Sequence, residues 1–273
     1  MKQNLGNRFR LVGRAGFGNC FPMRLRRHVF LFLVGVLGLS LASPAEIDPS
    51  AVIVVANSAE ASSVELAEYY SEKRGIPAGN IISLDMPTDE TISGMKFVET
   101  IRDPLLERLI DEEWINGILQ SGRDDHTRRN AAIFGHRIDA MVLCKGVPLR
   151  IAHEKLFMNE ADSKRLPEQF LTARASVDSE LALLPQARYR MAGPFRNPIY
   201  GEAIDDATLF KILRISRLDG PTYSDARRLV DAALEAESTG LMGRAYVDIG
   251  GPHKQGDRWL EGVAARLEET GFP

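Results

Sequence analysis

Cysteine is nearly absent, with two in 273 residues. Cys20 precedes the apolar N-terminal stretch, and Cys144 lies in the run AMVLC at 140–144. A chain starting after that stretch keeps a single thiol and forms no internal disulfide. Within an apolar run Cys144 reads as a small buried strand residue, and an apolar setting raises a thiol pKa and weakens it as a nucleophile. A basic surplus is also missing, since 34 Lys+Arg stand against 37 Asp+Glu. That removes the electrostatic footprint of a nucleic-acid binder. No apolar run reaches the roughly 18 to 20 residues that a bilayer crossing needs.

Several motifs are lacking too. His126, His136, His153 and His253 show neither HExxH nor any other ligand spacing, and there is no paired CxxC, so no metal site is expected. No G-x-S-x-G elbow supports serine hydrolysis. Where a dinucleotide fold carries its glycine fingerprint, the first βα turn reads Asn57-Ser-Ala-Glu60, and no cofactor is expected.

What is present begins with an uneven charge. Residues 1–45 hold seven Lys+Arg and no acid, which leaves 27 basic against 37 acidic residues, a net −10, from Glu46 onward. Within that leader, Met23-Arg-Leu-Arg-Arg27 followed by VFLFLVGVLGLSL at 29–41 has the charged and apolar regions of a secretory signal peptide. Ala45 with Ser43, or Ala42 with Ser40, suits the cleaving peptidase, and Pro44 favours Ala45 by ending any helix there. Residues 1–22 stand before a second methionine that opens a complete signal peptide, so Met23 is the expected start. The body is expected to be exported, touching a membrane only through this leader.

From residue 50 onward short apolar runs alternate with amphipathic stretches, the pattern of βα units on a parallel sheet. The run AVIVVA at 51–56 is apolar without alternation, as for a strand covered on both faces. A helix is expected over 62–74, closed by Gly75 and Pro77, then a strand over 81–84. Val98, Ile101, Leu105 and Leu109 mark a helix over 93–114 that Pro104 kinks or divides. Further strands are expected at 139–145, 211–218 and 245–249. Thr222-Tyr-Ser-Asp225 opens a helix with a capping-box pattern, and Trp259, Leu260, Val263, Ala264 and Leu267 mark a last one. Residues 151–209 form a long insertion in which SVDSELALL at 176–184 is a short strand or helix over the sheet. The expected architecture is an α/β three-layer sandwich with a mostly parallel sheet of at least five strands. The ending, Glu269-Thr-Gly271-Phe-Pro273, repeats the helix-closing logic of Lys73-Arg-Gly75-Ile-Pro77, so the domain is expected to continue for at least one more strand.

Open parallel sheets bind ligands at the carboxyl ends of their strands. Those ends here carry Asn57 with Ser58, Asp85, Lys145 with Gly146, Arg217 with Asp219, and Asp248, with Asp178 joining from the insertion. Asp and Asn also serve as ordinary caps and turn formers, so for them binding and turn duty both stay open. Lys145 differs, because a lysine that closes a buried apolar strand needs a solvated mouth or a carboxylate partner. Asp178 and Asp85 are the candidate partners.

The series VIVVANS at 52–58, LAEYYSEKRGIPAGNI at 66–81, LCKGVPLRI at 143–151, SVDSELALL at 176–184, SRLDGPT at 216–222 and GRAYVD at 243–248 resembles an uncharacterised bacterial family that co-occurs with exosortase protein-sorting systems. Members of that family typically continue past the point reached here. More distantly, the layout is similar to the first half of gingipain-type cysteine peptidases, which have a caspase-like α/β fold. Gly75 with Ile76 and Arg217 with Leu218 carry that likeness. The peptidases keep their catalytic histidine and cysteine in the later half of the domain, and the glycine-aspartate expected after the third strand is Lys145-Gly146 here. The resemblance therefore assigns no nucleophile.

It implies an exported protein of the exosortase-associated kind, with two readings of function. One is a hydrolase- or peptidase-like activity of a longer form, with Lys145, Asp178 and Arg217 shaping a cleft. The other is a non-catalytic module that binds exported proteins or an envelope polymer, where a body charge of −10 disfavours anionic polymers. Mass spectrometry of the exported protein is expected to find Glu46 as the first residue. An intact Met1 on a cytoplasmic product would overturn the compartment.

Overall fold

The computed structural model describes residues 47–271 apart from 159–160, 162–163, 165, 196, 198–209 and 241–242. The expected signal peptide and its cleavage site therefore lie outside the described residues. Among the described residues no helix is long and apolar enough to cross a membrane.

The chain opens with β1 (Val52–Asn57), every residue of which is buried. Helix α1 (Ala61–Arg74) ends on Gly75 in the left-handed region at φ 66°, and Ile76 N–H closes the turn on Ser71 O at 2.9 Å. Strand β2 (Ile81–Leu84) and the short β3 (Thr91–Ile92) follow. Helix α2 (Gly94–Phe97) passes through a π turn (Val98–Arg102) into α3 (Asp103–Asp111), with Pro104 in the first turn of α3. Proline cannot donate to the ladder, and the wider turn before it absorbs the missing bond.

Next come β4 (Ile115–Arg123) and β5 (Arg129–His136), an antiparallel hairpin that no alternation in the sequence announces. Then follow β6 (Ala140–Cys144), the short β7 (Arg150–Ile151) and β8 (Ala175–Ser176), and helix α4 (Val177–Ala182). The segment 176–184 is thus mainly helical. Strand β9 (Ile215–Leu218) leads to α5 (Tyr223–Thr239), whose start is a full capping box between Thr222 and Asp225. Helix α6 (Lys254–Glu269) comes last.

Strands β2, β1, β6 and β9 form one four-stranded sheet in that order, all parallel. The expected fifth strand is corrected: residues 245–249 pair with nothing in the sheet and are largely exposed, although they are as apolar as the real strands. Apolar character alone does not supply a partner edge, and a strand needs one. Alternate residues of β1 and β6 face opposite sides. Val52, Val54, Ala56, Val142 and Cys144 pack with Leu66, Ala67 and Ala226 on one face. Ile53, Val55, Met141 and Leu143 join Phe97, Ile101, Leu105, the hairpin and α4 on the other. Both faces are covered, as the unbroken apolar runs require.

The insertion is no single loop, since β7, β8 and α4 lie within it. Strands β3, β7 and β8 make a small second sheet. Two buried arginines anchor the stretch after α4. Arg102, 0% exposed, donates to Asp103 Oδ1 at 2.6 Å and to Ala187 O at 3.1 Å. Arg128 donates to Asp124 Oδ2 at 2.8 Å and to Tyr189 O at 2.6 Å. Tyr189 in turn donates to Glu180 Oε2 at 2.7 Å, and burial pushes both of those groups above their usual pKa ranges.

Removing one partner of such a pair strands the other charge away from water. Arg102→Ala is therefore expected to lower unfolding free energy by about 3–5 kcal/mol in urea titrations.

Candidate functional site

Chain order places β2 on one side of β1 and β6 on the other, so the strand order reverses between β1 and β6. A crevice opens beyond the carboxyl ends of strands at such a switch point. Asn57, the last residue of β1, sits there fully buried. Its Nδ2 donates to Gly146 O at 2.9 Å and to Pro87 O at 3.3 Å. Its Oδ1 accepts from Ala59 N–H at 3.0 Å and from Met86 N–H at 3.1 Å. Both donors and both acceptor positions of the carboxamide are occupied. Asn57 is thus a stitch between the loops that follow β1, β2 and β6.

Gly146 lies beside it at φ 99°, where a Cβ would stand 2.8 Å from Tyr223 Oη and 3.0 Å from Ser63 Cβ. Only glycine meets both the backbone conformation and the space.

Arg217 on β9 makes a fork onto Asp178 of α4, with Nε 3.1 Å from each carboxylate oxygen and Nη2 also on Oδ1. Its other donors reach Val147 O at 2.7 Å and Pro148 O at 3.1 Å. With its side chain 11% exposed, Arg217 holds the loop after β6 against the insertion. Asp178 is therefore not the partner of Lys145, and Asp85 is exposed beyond β2. Lys145 instead meets Asp219 Oδ1 at 3.2 Å and Gly220 O at 2.8 Å. A carboxylate partner exists as expected, but it comes from the end of β9. Asp248 falls in the exposed, unpaired 245–249 segment, so the structure does not bring it to the strand ends with the others.

A cleft of 190 Å³ occupies this rim, bounded by Glu60, Asp89, Glu90, Lys145, Gly146 and Asp219 among others. Tyr223, at the start of α5, donates a short hydrogen bond to Glu60, and Lys145 Nζ lies 5.7 Å from the Tyr223 ring centre. Burial first, and the Glu60 carboxylate second, push the Tyr223 hydroxyl well above its usual range, so it stays a donor. Glu60, Asp89, Glu90 and Tyr223 were not singled out from the sequence. The available signal was Glu60 itself, the last residue of the first βα turn.

Cys144 is buried under the rim, and burial pushes its thiol up to about 12. Among the described residues no group of three or more His, Cys, Asp or Glu side chains is arranged to hold a metal ion. The cleft mouth has four carboxylates and one amine; the amine has Asp219 beside it and Glu90 pairs with Arg150, which leaves Glu60 and Asp89 without a cation among the described residues. Such a charge balance suits a cationic group better than an anionic one.

Asn57→Ala is expected to lower stability by at least ~2 kcal/mol, since Met86 N–H and Gly146 O lose their partner in a buried setting. Asn57→Asp, although isosteric, should do comparable damage because a carboxylate cannot donate to Gly146 O or Pro87 O. Chemical denaturation of the two variants tests the stitch.

Comparison with protein-family models, with curated proteins and with solved structures finds no match.

Proposed function

We propose that the protein is an exported α/β binding module whose strand-end cleft takes up a cationic group of an exported polypeptide, in the service of exosortase-type envelope sorting. The observation that carries the binding reading is the cleft itself. Glu60, Asp89, Glu90 and Asp219 surround a single lysine that is already neutralised by Asp219. Arg150 balances Glu90 at 3.0 Å, so an added ammonium or guanidinium gains from Glu60 and Asp89, whereas a phosphate or carboxylate is repelled. The link to sorting rests on the motif series at 52–58, 143–151 and 216–222 and on the basic, apolar leader.

The hydrolase- or peptidase-like reading is supported by one observation, the position of the cleft at the switch point of a parallel sheet, where such folds place their chemistry. Against it, the residues bounding the cleft include neither histidine nor cysteine, and Cys144 lies buried with a raised pKa. Binding accounts for more of the geometry.

Fluorescence anisotropy with a labelled ten-residue peptide carrying one central lysine tests the proposal against the same peptide with norleucine. The lysine peptide is expected to bind more tightly, and Asp89→Asn, at an exposed position, to weaken it about three- to fivefold, the range of one exposed ion pair. Equal binding of the two peptides would overturn the reading.

A further inference from the structure

A second depression adjoins the cleft. It measures 710 Å³ and is bounded by Thr91, Arg150, Ala152, Arg174 and Ser176 among others. Two chain segments run from one depression straight into the other. Residues 88–90 bound the cleft and Thr91 the groove, while 145–149 bound the cleft and 150–153 the groove. The register of the small sheet explains the continuity: Thr91 lies opposite Arg150, and Arg150 opposite Ser176. The groove is thus the outer face of that sheet.

The two ends differ in charge. At the cleft end Asp89 is an exposed acid with no ion pair among the described residues, beside Glu60 and Asp219. At the junction Glu90 and Arg150 neutralise each other at 3.0 Å. At the far end Arg174 is exposed, and its guanidinium has no ion pair among the described residues; only its backbone N–H is engaged, on Thr172 Oγ1 at 3.1 Å. One end is negative, the middle is neutral and the other end is positive. A compact ligand would use one end only.

We infer that cleft and groove form one track for an extended polypeptide segment, with a basic residue in the cleft and an acidic residue about five positions away against Arg174. This rests on the proposed binding of a cationic group in the cleft. The spacing follows from the path. Thr91 pairs with Arg150 in the parallel ladder and Ile151 with Ala175 in the antiparallel one, so Asp89 stands level with Pro148, and Arg174 with Ala152 four residues further on and two strands across. At ~3.3 Å per residue along the strand and ~4.8 Å between strands the two charges are roughly 16 Å apart, which an extended segment covers in about five residues.

Fluorescence anisotropy on the full chain tests the track with labelled decapeptides carrying Lys and Glu five apart, in both chain orders, beside a Lys and Gln peptide. One Lys/Glu order is expected to bind the native protein about three- to fivefold more tightly than the Lys/Gln peptide. Arg174→Glu, an exposed substitution, should reverse that preference and favour a Lys/Lys peptide. If Arg174→Glu leaves the ratio unchanged while the Lys/Gln peptide still binds, the track is overturned and the cleft proposal stands. If no lysine peptide binds, both fall.

Discussion

The arrangement at the strand ends depends on one carboxamide. A parallel sheet delivers its loops to a common edge but does not fix them relative to one another, because each loop belongs to a different βα unit. Asn57 supplies that connection, with two donated and two accepted hydrogen bonds reaching the segments after β1, β2 and β6. Its burial makes the constraint strict, since any bond lost there leaves a polar group without water. Gly146 can approach it only because it lacks a side chain, and that approach brings Lys145 and Glu60 to the same mouth.

A second fixture comes from the insertion. Each of the three guanidinium nitrogens of Arg217 donates to Asp178, Val147 O or Pro148 O, so α4 and the wall of the cleft are tied through one side chain. The stretch after α4 is itself gripped by Arg102 and Arg128 through the carbonyls of Ala187 and Tyr189. Two buried arginines are costly to desolvate and contribute little net stability as pairs. What they do supply is a fixed address for a segment with little apolar periodicity of its own. The cleft wall inherits that placement by way of Asp178.

The central strands were legible in the sequence because a strand covered on both faces must be apolar throughout, and the runs near 53 and 142 had no other reading. Helix α5 was legible through its cap. The β4–β5 hairpin was not, because its outer face carries Ile118 and Phe134 exposed while glycines interrupt its inner face, so no clean alternation survives. Residues 245–249 show the converse, a strand-like composition that joins no edge of the sheet. At the site, the need of Lys145 for a carboxylate was legible, but its identity was not. Leu143 pairs with Arg217 and Cys144 with Leu218, so the residue that follows in register beside Lys145 is Asp219. That step requires knowing that β9 lies next to β6, and nothing local in either segment says so.

The same register separates residues that hold the site from residues that serve it. Asn57, Arg217 and Asp178 have the most versatile hydrogen-bonding chemistry of the strand-end set, and the fold has consumed it: their polar atoms are turned toward the protein. Glu60 and Asp89 lie on connecting loops, where ordering demands are smaller and side chains can face outward. Chemistry concentrated at strand termini is therefore a guide to where a site lies, while availability to a ligand is decided one residue further out. In this chain that outer ring is acidic at the cleft and basic beyond the Glu90–Arg150 pair, a charge division set by loop residues more than by the buried stitch beneath it.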